Sequence, residues 1–350
     1  MTMPTSISIG KCTLGFGFPT YLIAEIGSNH NQNLDLALEM IERSAQAGAN
    51  AVKFQSIRYD KLYNPDKEPD EFRQWIAKIE LDENWYFSLA QKAKDCEVDF
   101  ISAPTYAEAI PLLEACDVPA YKLASPQVQA NLPLVEKVAA TGKPVLMSMG
   151  YCRYGEIENA IELVEKTGNN TIIPLHCVSR YPLNPAEANL RYLQTLSEMT
   201  GYCTGFSDHS SGSHLAVAAV ALGASVIEKH VTTDRSLSGP DHHFAMLFSE
   251  FQQMVEQIRD IDVALGSGVR MKFLEEEQEY RTFVALKLFA AKSLSAGEPL
   301  SEQSLMLLRS NSPGLMESDL AMARRCVASR PIDAGELLSW DSLSYLGSEQ

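Results

Sequence analysis

Between Tyr21 and His230 a short apolar run gives way to a helix-like segment about eight times, and this alternation leaves the chain few ways to fold. Strands that alternate with helices pair in parallel, because each crossover helix carries the chain back to start the next strand in the same direction. Eight such units close on themselves as an α/β structure, the (β/α)8 or TIM barrel. The runs also end alike. Glu25 follows YLIA, Lys53 and Gln55 fall around VKFQ, Ser102 follows DFI and Lys122 follows AY. Ser148, His176, Ser207-Asp208-His209 and Lys229-His230 close the later runs. In a barrel of parallel strands these ends share one mouth, where chemistry is found, so the polar phase of the repeats predicts an enzyme.

The pattern places strands at Tyr21 to Ile26 and Ala51 to Phe54, then near Asp99–Ser102, Ala120–Leu123, Pro144–Met149, Thr171–His176, Thr204–Ser207 and Ser225–His230. A glycine-marked segment before Tyr21 is expected to cover the barrel bottom as a short hairpin or strand. The first helix starts near Asn33 with a stripe of Leu34, Leu38, Ile41 and Ala45. The stretch from Arg58 to Glu83, carrying Pro65 and Pro69, reads as a long loop on the catalytic face. The barrel domain is expected over residues 1–266 and an exposed linker over 267–282, from Gly266-Ser267-Gly268 through Glu275-Glu276-Glu277. Residues 283–350 form a small β-rich domain containing two copies of one pattern, Ala290 to Leu305 and Ala328 to Leu343, aligned through their Ala-Gly-Glu turns. Each copy reads as strand, turn, strand and a capped short helix at Ser301 or Ser339.

Composition removes several classes of function. A net charge of -16 with no basic stripe argues against nucleic acid as a partner. No apolar run approaches the ~18 residues of a membrane span, and the first ten residues lack a signal-peptide pattern. Seven scattered cysteines without C-x-x-C spacing fit a reducing cytoplasm, with Cys177 read as a buried thiol.

Within the mouth, His176 and His209 on consecutive strands offer two imidazoles to one divalent ion, or are satisfied structural histidines; His230 and His242 could supplement or replace either. Lys53 and Lys122 with Ser102, Ser125 and Ser148 suit a ligand bearing a phosphate and a carboxylate, or else the lysines snorkel at the rim. Glu25 either pairs with Lys53 or serves as general acid/base, and Asp241 on the last loop could take sugar hydroxyls. A Schiff base on Lys122 is a further option.

The blocks IAEIGSNHN (Ile23 to Asn31), VKFQ, SAP, YKLAS, GKPVLMSMG, LHCVSRYP, GFSDHSSG and EKHVTTDRSLSGPDHHF follow the order seen in the sialic acid (N-acetylneuraminate) synthase family, which this chain resembles from about Ile23 to Leu346. The resemblance implies a TIM barrel followed by an antifreeze-like (SAF) domain. It implies condensation of phosphoenolpyruvate with an N-acylated hexosamine to give a nine-carbon 2-keto acid and phosphate. The same chemistry on a legionaminic-type or spore-coat sugar precursor is the alternative, and a non-catalytic binding homologue a second.

Transferred onto this sequence, His176 and His209 look like ligands of a divalent ion, Mn2+ first and Mg2+ or Co2+ otherwise. Lys53, Lys122, Ser125, Ser148 and Ser179 look like the phosphoenolpyruvate cradle, with Glu25 as acid/base. Gln55, Tyr181 and Asp241 look like acceptor contacts. The resemblance also implies a domain-swapped homodimer in which Arg309 reaches the acceptor bound to the partner. Ala103 and Met149 stand where the family usually has threonine, Gln127 where glutamate is common, and Ala245 where serine is usual. Loss of two hydroxyls is expected to weaken the phosphate end by about 0.5–1.5 kcal/mol for each hydrogen bond.

Overall fold

The computed structural model describes residues 6–64, 66–269 and 272–346. Pro65, in the long connection, and residues 270 and 271, in the expected linker, lie outside the described residues. The chain divides into two compact units after Gly268.

The first unit is an eight-stranded parallel barrel. Its strands are β1 (Tyr21–Gly27), β2 (Ala51–Ser56), β3 (Asp99–Pro104), β4 (Tyr121–Leu123), β5 (Val145–Ser148), β6 (Ile172–Cys177), β7 (Gly205–Asp208) and β8 (Val226–Thr232). They pair in sequence order, and β8 pairs with both β7 and β1 to close the ring. Side chains alternate across each strand. Ile23, Ala51, Ile101, Ala120, Leu146, Ile173, Leu175 and Val226 fill the barrel interior, while their neighbours Leu22, Val52, Phe100, Tyr121, Val145, Ile172 and Ile227 pack outward under the helices.

The segment before Tyr21 is a hairpin of Ile7–Ile9 and Cys12–Leu14, whose Ile9 and Leu14 are buried in the cluster that fills the barrel. Gly10 turns it with φ +53°, and a Cβ there would stand 2.5 Å from the Asp99 carboxylate, so only glycine fits. The helix Leu34–Gln46 is capped by the Asn33 side chain, which accepts from the Leu36 N–H. Its buried stripe is Ala37, Met40, Ile41 and Ser44; the expected Leu34, Leu38 and Ala45 flank it half-buried.

Two stretches differ from expectation. The connection from Arg58 to Glu83 is not an open loop. Helices Tyr59–Leu62 and Asp70–Ala77 fold over a small core of Ile57, Tyr59 and Ile76, sealed by Phe72 and Tyr63 at 4.9 Å between rings. Within the expected linker, Glu275–Val284 forms an exposed helix. The Leu274 N–H donates to Glu277, and three glutamates in its first turn favour the positive end of the helix dipole.

In the second unit each copy keeps its own antiparallel pair, Leu286–Ala290 with Leu305–Arg309 and Cys326–Ala328 with Leu343–Tyr345, while the segments beside the Ala-Gly-Glu turns bond across to the other copy. Ala290 N–H donates to Glu336 O and Gly335 N–H to Ala290 O, and the reciprocal pair joins Ala328 to Glu298 and Gly297. Its core repeats likewise: Leu288, Ala290, Leu294 and Leu300 recur as Cys326, Ala328, Ile332 and Leu338. The expected capped helices are single 3-10 turns, Glu302–Ser304 and Trp340–Ser342.

Candidate active site

Inward positions at the C-terminal ends of the strands carry ionisable groups instead of the aliphatics below them. On β1 and β2, the Lys53 ammonium lies 2.8 Å from the Glu25 carboxylate, whose other oxygen accepts from the Gln55 amide at 2.8 Å. Glu228 on β8 takes the Lys122 ammonium at 3.1 Å and the Ser207 hydroxyl at 2.8 Å, with Lys53 at 3.8 Å. Burial opposes ionisation of Glu228, but Lys122 and Lys53 overcome it and hold its pKa near about 2. Burial likewise opposes the charge of Lys53, and Glu228 and Glu25 raise its pKa regardless. The floor of the cavity is thus a chain of alternating charges, Glu25, Lys53, Glu228 and Lys122, with almost no solvent access.

One wall is built of imidazoles. His209 and His230 face each other with ring centroids 5.6 Å apart, and Tyr181, half-exposed at the rim, packs tilted against His209 with centroids 4.1 Å apart. The Val178 carbonyl lies 2.9 Å from Nδ1 of His209, so that nitrogen carries the proton and the Nε2 lone pair is free. Burial and the neighbouring His230 depress the His209 pKa to about 3. Nδ1 of His230 is buried without a hydrogen-bond partner; the Asp241 carboxylate is 3.9 Å away. Asp241 also accepts from the Ser28 hydroxyl at 3.2 Å.

Opposite lies a hydroxyl wall. Ser125 Oγ accepts the Gly150 N–H at 3.0 Å, and Ser148 Oγ is buried with no partner. A Cβ on Gly150 would come within 2.9 Å of Ser125 Oγ and 3.0 Å of Ser179 Oγ, so the absence of a side chain keeps this recess open. Tyr151 and Cys177 complete the lining. Burial pushes the Cys177 thiol pKa up, as for an inert core cysteine.

The structure therefore gathers Glu25, Lys53, Gln55, Lys122, Ser125, Ser148, Ser179, Tyr181 and His209 around one cavity, with Asp241 beside it. It excludes two expected members. His176 pairs in register with Phe206, between inward Leu175 and Cys177, so it faces the helices. There its ring packs on Phe206 and Tyr192, and Nε2 lies 2.6 Å from the Ala188 carbonyl. It cannot share an ion with His209. Ser102 also points outward, bonding Ser56 Oγ at 2.7 Å and the Phe54 carbonyl.

His242 spends both nitrogens on Thr232 and Asn31, which leaves His230 as the imidazole opposite His209. Lys122 is ion-paired rather than isolated in an apolar wall, an arrangement that disfavours a Schiff-base role. Met149 lies in the helix-facing core, so only Ala103 of the two departures reaches the mouth side of the wall. Arg309 ends the exposed strand Leu305–Arg309 of the second unit.

Ser207 and His230 stand out in the sequence as run ends, and His230 as a possible replacement ligand, whereas sequence reasoning missed Glu228, yet period-two counting finds it. Glu228 lies two before His230, and Ser207 two before His209.

A larger cavity of about 440 Å³ opens at the other end of the barrel, beside Phe16, Leu193, Leu222 and Leu265. It is mostly apolar; of its two carboxylates, Glu198 and Asp262, the latter is bound by Thr20 and Arg259. Chemistry singles out the smaller cavity.

The sequence pattern of the NeuB family matches residues 40–270, most of the barrel that carries this site. The chain belongs to the NeuB family. The SAF domain pattern matches residues 288–344. This NeuB-family chain is 37% identical to the N,N'-diacetyllegionaminic acid synthase of Campylobacter jejuni, over 83% of its own length and 90% of that protein. The synthase of the same name from Legionella pneumophila is 32% identical, over 94% of this chain and 96% of that one. A solved N-acetylneuraminic acid synthetase from Leptospira borgpetersenii superposes with TM-score 0.73 at 34% identity, covering 81% of this chain and 98% of that structure. The NeuB-family chain is an enzyme of this synthase type. Among its described residues no helix is long and apolar enough to cross a membrane.

Proposed function

We propose that the chain condenses phosphoenolpyruvate with the open-chain aldehyde of an N-acylated hexosamine, giving a nine-carbon 2-keto sugar acid and phosphate. The observation that carries this reading is the juxtaposition, in one cavity, of two buried lysines bridged by Glu228 with the facing imidazoles of His209 and His230. Lys53 and Lys122 bind the anionic enol ester, and Ser125, Ser148, Ser179 and the Gly150 N–H direct its oxygens. Carbon 3 of the enol ester attacks the aldehyde carbon. Water adds to the electron-poor carbon 2 and gives a proton to Glu25, which returns it to the new alkoxide. The added hydroxyl then loses its proton to become the keto group as the bond between carbon 2 and the phosphate oxygen breaks and phosphate leaves. Gln55 keeps the Glu25 carboxylate oriented, and Asp241 and Tyr181 meet the acceptor.

The partnerless Nδ1 of His230 and the free Nε2 lone pair of His209 fit a divalent ion, Mn2+ in the first instance. Such an ion, held by His209 and His230, would supply positive charge to the aldehyde oxygen. Among the described residues no group of three or more acidic, histidine or cysteine side chains is set to hold an ion, so His209 and His230 are the two residues that would hold it.

The names of the Campylobacter and Legionella relatives favour a second reading of the acceptor, a 2,4-diacetamido hexose in place of N-acetylmannosamine. We assign the enzyme to the cytoplasm and to a domain-swapped homodimer in which Arg309 reaches the acyl group of the partner's acceptor. Phosphate release from phosphoenolpyruvate with Mn2+, scanned over N-acetylmannosamine, its 6-phosphate and 2,4-diacetamido hexoses, tests the reading. Release with one acceptor class is expected. No release with any of them, in protein that binds Mn2+, refutes it.

A further inference from the structure

We propose that Lys229, on the outer face of the barrel wall, is a positioning residue that sets the His209–His230 pair for its ion. The inference rests on the reading that this pair binds a divalent ion. Strand β7 ends at Asp208, and Lys229 opposite Asp208 is the last pair in register between β7 and β8. His209 stands one residue beyond, where no ladder bond to β8 holds it. The Lys229 side chain supplies the missing tie. Its ammonium donates to the Asp208 carboxylate at 2.6 Å and to the Ser210 carbonyl at 2.5 Å, the residues on either side of His209. The other Asp208 oxygen accepts the Ser210 N–H at 2.8 Å, which closes the turn.

Lys229 immediately precedes His230. Its backbone therefore carries one imidazole while its side chain fixes the other. Alternation turns Lys229 and Asp208 away from the cavity, and both are buried, so neither meets substrate or bulk solvent. A buried ion pair adds little stability over well-packed apolar residues, so its value here is geometric. Partners behind metal-binding imidazoles commonly change affinity by about 10- to 100-fold when removed.

Charge and geometry predict opposite signs for Lys229→Met. By charge alone, removing an ammonium beside a cation site and baring Asp208 strengthens ion binding. By position, it frees the turn and weakens binding. The test is titration calorimetry of the full chain with Co2+, without substrates, accompanied by the Co2+ d–d absorption spectrum. Lys229→Met and the double variant Lys229→Met/Asp208→Asn are expected to bind about 10- to 100-fold more weakly, with altered spectra. Wild-type or tighter affinity with an unchanged spectrum overturns the inference. If Lys229→Met does not fold, Lys229→Arg keeps the charge but redirects the bonds, and the same weakening is expected; unchanged affinity overturns the proposal. A wild-type chain that binds no Co2+ refutes the underlying reading, and this inference with it.

Discussion

Glu228 sits between two ammonium groups from different strands, and its carboxyl pKa of about 2 against an ordinary 4.5 makes it a stability device as well as a site residue. The unfolded chain takes up this proton below about 4.5, and the folded chain only near 2. The contribution is therefore complete above 4.5 and disappears as pH falls toward 2. Thermal midpoints between pH 5 and 3 should fall more steeply for the wild type than for Glu228→Gln; parallel curves refute the coupling. Met149 offers a second single-residue test. Met149→Thr restores a hydroxyl inside the helix-facing core, so it should cost about 1–3 kcal/mol of stability and leave KM for phosphoenolpyruvate unchanged. A lowered KM would put that side chain in the cavity instead.

At the scale of the strand, side-chain parity decides what was legible. The polar run ends marked the mouth correctly, and Glu25, Lys53, Lys122 and Ser148 share the inward phase of the aliphatics beneath them. His176 and Ser102 are also polar and also end runs, but they occupy the outward phase. Polarity at a strand end does not reveal on which side of the wall a residue stands; that requires the register of its neighbours. His176→Ala should thus leave Mn2+ affinity within about twofold while costing about 1–3 kcal/mol of stability through its lost packing on Phe206 and Tyr192. His209→Ala and His230→Ala should abolish ion binding measured by calorimetry. Loss of Mn2+ affinity in the His176 variant would reverse that assignment. The doubled Ala-Gly-Glu pattern was likewise readable as a repeat, but not the interlocking of the two copies, because the bonds beside each Ala-Gly-Glu turn go to the other copy.

For the whole molecule, the eightfold alternation pointed to a parallel sheet with both faces covered, and the polar residues at the same phase of each repeat pointed to its closed form, in which the strand ends share one mouth. The helical cover between Arg58 and Glu83 was hidden by its charge, because its core of Ile57, Tyr59 and Ile76 is too small to raise a periodic signal. On the proposed reading, the second unit enters function through Arg309. Arg309→Ala should raise KM for the acceptor, by about 10-fold for one lost charge-assisted hydrogen bond, and leave KM for phosphoenolpyruvate unchanged. Equal effects on both substrates would contradict its role. The central claim is that one cavity holds the ion and the enol ester together. Anomalous diffraction from crystals soaked in Mn2+ and phosphoenolpyruvate tests it directly. The account predicts a manganese peak bound by both His209 and His230, with the enol ester in contact with Lys53 and Lys122. A peak beside His176, or an enol ester elsewhere, would contradict it.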